Sequence, residues 1–68
     1  MPAYYVNKVA QPNGDHEVHT DGCPYPAEVQ NRLQLGNHIN CHSAVRDAKL
    51  YYSAANGCYY CSNPCHTS

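Results

Sequence analysis

Phe and Trp are absent from this 68-residue chain, and Leu, Ile and Val together supply nine residues. So few large apolar side chains make a thin core. A chain this short buries a smaller share of its surface than a larger domain does, and it usually needs a disulfide, a metal or a partner as a staple. The 43% apolar content is reached only by counting Ala, seven Tyr and five Cys, and the last two carry polar or reactive atoms. The length excludes a multidomain enzyme and a coiled coil, and no apolar run approaches the roughly 20 residues of a membrane-spanning helix. One small module over residues 1–68, held by metal or disulfide, is the architecture that fits.

Four basic residues stand against five acidic ones, giving a formal charge of -1, and neither sign clusters. Duplex binding draws on several Lys or Arg contacts to phosphate, so it is not expected of this chain. The same near-neutral balance argues against solvated disorder. The opening Met1-Pro2-Ala3-Tyr4-Tyr5-Val6 lacks the basic start, apolar stretch and small-residue cleavage site of a signal peptide, and a bacterial-type cytoplasmic protein is the expectation. In a reducing compartment, five cysteines point to metal ligation or redox chemistry ahead of a disulfide framework.

Tyr4 to Val9 is rich in strand formers, and His16 to His19 reads as a second strand returning from a reversal at Asn13-Gly14. Arg32 to Leu35 alternates and reads as a third. From Cys41 the period changes. Cys41, Ala44, Val45, Ala48, Tyr52 and Ala55 recur at helical spacing, with Asn40 as N-cap and Asn56-Gly57 as the stop. The expected fold is α+β: two or three short antiparallel strands, one helix from about Cys41 to Ala54, and a C-terminal Cys-x2-Cys knuckle.

Cys58-x2-Cys61 follows the glycine directly, and two intervening residues let both sulfurs meet one ion. The other half of such a site should come from a distant segment, because a clip joining far-apart parts of the chain is what a poor core requires. His19-x3-Cys23 supplies it, with Asp21-Gly22 turning the chain between the two. The candidate ligands of a structural Zn2+ are therefore His19, Cys23, Cys58 and Cys61. Cys65 competes with His19 for the fourth place, His19 reading otherwise as an exposed strand histidine. Cys41, on the apolar helix face, reads as a small buried thiol or as a partner of Cys65. Cys41, His42, Cys65 and His66 do not suggest a second site, because adjacent side chains diverge.

A thiol-redox protein using Cys58 and Cys61 is the competing class, although the motif follows a helix where a reactive dithiol would precede one. Glu17 shares a strand face with His19, a weak sign of a catalytic base. Six of the seven tyrosines form adjacent pairs, and they either fill the small core or, at Tyr59 and Tyr60, offer a contact patch to a protein or an unpaired base.

The order Val18-His19-x3-Cys23, Leu35-Gly36, Ser43-Ala44-Val45-x2-Ala48 and Gly57-Cys58-x2-Cys61 resembles small zinc-binding modules of the Ada-like metal-binding family. The chain is also similar to short bacterial proteins ending in Gly-Cys-Tyr-Tyr-Cys and Cys-His-Thr-Ser, here residues 57–61 and 65–68. The first resemblance implies His19, Cys23, Cys58 and Cys61 as ligands. The Ada-type site is all cysteine, whereas His stands first here, and methyl-acceptor activity is not expected. The combined expectation is a monomeric structural zinc module, not an enzyme, that binds a protein or nucleic-acid partner and neither a membrane nor a small-molecule substrate.

Overall fold

A computed structural model describes residues 2–67; Met1 and Ser68, the ends of the expected module and of its C-terminal pattern, lie outside the described residues. The chain runs β1 (Ala3–Asn7), β2 (His16–Thr20), β3 (Arg32–Asn37), α1 (Cys41–Ala48) and β4 (Ala55–Gly57), with short 3-10 turns at Val29–Asn31 and Asn63–Cys65. It is an α+β fold with one helix. The sheet order is β3-β1-β2-β4.

β1 and β2 pair antiparallel, with Tyr5 opposite His19 and Val6 opposite Val18. Their reversal uses Gly14 at a φ of 92°, a left-handed backbone that glycine adopts without a Cβ clash. β3 pairs antiparallel with β1 through an irregularity between Tyr4 and Tyr5. β4 pairs parallel to β2, with Ala55, Asn56 and Gly57 beside His16, Glu17 and Val18.

Two expectations are corrected here. The sheet has four strands and is mixed, where two or three antiparallel strands were expected. The helix stops at Ala48 and not near Ala54, and Asn56-Gly57 belongs to a buried strand instead of a helix stop. The reason is tertiary. After Lys49 the chain tightens, the Tyr52 ring stacks on His16 with centroids 4.0 Å apart, and the His16 N–H donates to Ala54 O at 3.0 Å. Those contacts pull the chain back across β2.

The helix start matches its reading, for Asn40 Oδ1 accepts from the N–H groups of His42 and Ser43. Cys41, Ala44 and Ala48 form its buried stripe. They pack with Tyr4, Val6, Val18 and Ala55 on one face of the sheet. Cys41 is a disulfide partner of Cys65, and this corrects the buried-thiol reading. The bond lies within the core and joins the helix start to the C-terminal turn. Strand alternation sends Tyr5, Glu17 and His19 to the other face.

Candidate metal centre

The second face carries the sulfur cluster. His19 arrives from β2, where alternation turns its ring away from the Val18 core, and Tyr5 opposite it stacks on the ring at 5.3 Å. The other partner of Tyr5 is Arg32, whose guanidinium carbon sits 4.5 Å from the ring centroid. Tyr5 Oη also accepts from the Ala27 N–H. His19 is thus held in a packed slot, 2% exposed, and is not the exposed strand histidine of the alternative reading.

Cys23 returns to the same place by a tight turn in which its N–H donates to Thr20 O at 3.2 Å. Cys58 follows β4 directly, and its N–H continues the parallel pairing by donating to Val18 O. Gly57 is required just before it. A Cβ there would lie 2.7 Å from both Cys65 Cβ and Ser62 O, so the chain packs against the returning turn only with glycine. The Ser62 N–H donates to Cys58 O and closes the knuckle that presents Cys61.

The donor atoms of His19, Cys23, Cys58 and Cys61 all lie within 4.8 Å of one another. The sulfurs of Cys23 and Cys58 are 3.8 Å apart, and Cys61 Sγ is 3.7 Å from His19 Nδ1. A tetrahedral zinc with Zn–S of about 2.3 Å and Zn–N of about 2.0–2.1 Å has S···S edges of about 3.8 Å and S···N edges of about 3.6 Å. These two edges fit that figure. These residues are positioned to hold a metal ion.

Burial pushes the Cys23 thiol up to about 12, assisted by the neighbouring sulfurs of Cys61 and Cys58. Burial likewise raises Cys58. Burial also acts to raise Cys61, but the Thr20 N–H, the sulfurs of Cys23 and Cys58 and the Ser62 hydroxyl outweigh it, and the net shift is downward. The Thr20 N–H lies 3.4 Å from that sulfur. Burial, followed by the nearby Arg32 charge, lowers His19 and favours its neutral, ligating form. Three thiols at one point share little negative charge among themselves, whereas a divalent cation in their midst would stabilise all three as thiolates.

All four sequence-derived ligands meet. Cys65 does not join them, because its sulfur is bonded to Cys41. Two contributors escaped the sequence reading, Tyr5 as the ring under His19 and Thr20 as a donor to Cys61, while Glu17 lies on the His19 strand face as read. Glu17 Oε1 stands 3.5 Å from His19 Nε2, the ring nitrogen that faces away from Cys61. The i, i+2 spacing on a strand was the available signal for that contact.

The second cysteine-histidine group also departs from expectation. His42 converges with Cys41 and Cys65, the donor atoms again lying within 4.8 Å. His66 turns aside, its Nδ1 3.0 Å from Gly57 O. Divergence of adjacent side chains thus holds at 65–66 but not at 41–42.

No protein-family model, curated protein or solved structure matches the chain. No helix among the described residues is long and apolar enough to cross a membrane.

Proposed function

We propose that His19, Cys23, Cys58 and Cys61 hold one Zn2+ at a structural site, and that the module so stabilised works by binding another macromolecule. The observation that carries the metal reading is the tetrahedral edge length, 3.8 Å between Cys23 and Cys58 sulfurs brought together from 35 residues apart. Soft thiolates with one imidazole favour zinc over the hard oxygen-seeking cations. Four protein donors fill a tetrahedron and leave no open position, so the reading assigns the site no catalysis. The His-x3-Cys and Cys-x2-Cys order supports an Ada-like module in the sense of shared ligation, with function following from the surface around it.

That surface is aromatic. Tyr25, Tyr59 and Tyr60 are each more than half exposed, and they form a chain with centroids 4.3 Å apart for Tyr25–Tyr60 and 5.2 Å for Tyr59–Tyr60. Two of them ride on the Cys58–Cys61 knuckle, so the ion that fixes the knuckle also fixes the patch. Near-zero net charge favours a protein partner over nucleic acid. Tyr4 and Tyr5, by contrast, serve the interior. A salt-sensitive shift with single-stranded oligonucleotide would transfer the reading to an unpaired base.

The lowered Cys61 thiol supports a second reading, dithiol redox chemistry at Cys58 and Cys61. Native mass spectrometry with and without chelator separates the two. One zinc per chain, and collapse of amide dispersion on its removal, is the expected result; a metal-free folded protein with one strongly acidic thiol overturns it.

A further inference from the structure

On the helix-covered face of the sheet, Cys41 and Cys65 are joined in a disulfide, and the His42 imidazole has a nitrogen within 4.8 Å of both sulfurs. The cysteines are buried, at 5% and 8% exposure, and His42 is exposed. A cleft of about 220 Å³ opens beside them, lined by His42 and Val45 of the helix, by Lys49 just past its end, and by Asn56, Cys65 and Thr67. It gives a small reductant and an ion a route to Cys65 from solvent. Only thiolates ligate strongly, so the disulfide and a metal at this place exclude one another.

We propose that reduction of Cys41–Cys65 creates a second metal site, in which two thiolates and the His42 imidazole bind Zn2+ and the fourth position faces the cleft. The donors come from the first turn of α1 and from the Asn63–Cys65 turn, two segments the disulfide already holds at a Cα separation of 6.2 Å. The reductant is a dithiol. One of its thiolates attacks Cys65 Sγ, the S–S bond breaks, and Cys41 leaves as a thiolate. The second thiol of the reductant then resolves the mixed disulfide. Two electrons pass to the cysteines, which together take up two protons, and the dithiol departs as its own disulfide. Zinc binding releases those two protons. Three protein ligands and an open position differ in kind from the closed four-ligand set on the opposite face. The inference is independent of the His19 site.

The test uses the full chain in two redox states. Oxidised protein, and protein reduced with a phosphine and desalted under argon, are titrated with Zn2+ and counted by native mass spectrometry. Reduction should raise the count by one, whatever number the oxidised protein holds, and a failure of the first site would show instead in the oxidised count. The Cys41→Ser/Cys65→Ser variant should show no increment. His42→Ala, an exposed change that leaves the core intact, should weaken the second ion by about tenfold or more in chelator competition. Absence of the increment overturns the proposal, as does equal uptake by His42→Ala. A reduced chain that loses amide dispersion even in excess zinc overturns it too.

Discussion

Glu17 and His19 stand side by side on one face of β2, with the Glu17 carboxylate 3.5 Å from His19 Nε2 while Nδ1 looks toward the Cys61 sulfur. A carboxylate on the outer nitrogen fixes the ring tautomer and raises the basicity of the inner one. Glu17→Gln should therefore weaken Zn2+ affinity by about 10–100-fold with the stoichiometry unchanged. Competition against a chromophoric chelator measures it, and an affinity equal to the parent's would remove Glu17 from the site.

Cys58→Ala and Cys23→Ala each leave three donors for the proposed ion, and on that reading the ion's binding free energy is folding free energy. Both variants should lose amide dispersion, as should the parent in excess chelator. His66→Ala removes a hydrogen bond to Gly57 O, worth about 1 kcal/mol, and an edge contact with the Tyr59 ring, and should stay folded. Two-dimensional amide spectra of the four samples decide the point.

Gly57→Ala places a methyl 2.7 Å from Cys65 Cβ and from a backbone oxygen. Neither neighbour is the end of a flexible side chain. The cost should be about 1–3 kcal/mol, read from urea midpoints with metal bound, and a shift within error would contradict the close approach of β4 to the knuckle.

At the helix start, Asn40→Ala deletes the oxygen that serves two N–H groups. A loss of about 1 kcal/mol is expected. Asn40→Ser should recover most of it, which separates capping from general disturbance.

With metal bound, the lowered His19 gives a sign to the pH dependence. The unfolded chain takes up a proton near 6.5 while the folded ring resists until a lower pH. The stabilising contribution is thus complete above about 6.5 and is lost as pH falls through the folded value. Without an ion Cys23 and Cys58 act oppositely: their raised thiols contribute below the unfolded value of 9.0, and the contribution goes as pH rises through the folded values. Urea midpoints from pH 5 to 8, an interval of about three units that straddles the histidine step, should fall toward the acid end, and a flat profile would remove His19 from the pH dependence.

Much of the site was readable because its signals are local. Cys-x2-Cys and His-x3-Cys fix which sulfurs and nitrogen turn inward, and the poverty of large apolar residues says that something must hold distant segments together. β4 was not readable: Ala55-Asn56-Gly57 has no alternation, and Asn-Gly looks like a stop signal until a neighbouring strand needs a narrow partner. The length of α1 failed for a related reason. Tyr52 and Ala55 keep helical spacing to the eye, but stacking on His16 and pairing beside β2 outweigh it. The Cys41–Cys65 pairing lay among the options yet had no local signature, since 24 residues separate the partners.

Residues 55–65 provide the fourth strand, two donors of the sulfur cluster and one end of the disulfide. The chain is therefore made through β1, β2, β3 and the helix before either clasp can form. Tyr5 and Val18 lack part of their cover in that interval, and two thiols, Cys23 and Cys41, wait without their mates. The risk of mispairing or of capture by a chaperone is concentrated in the interval before residues 55–65 join the fold, after which both sides of the sheet lock nearly together.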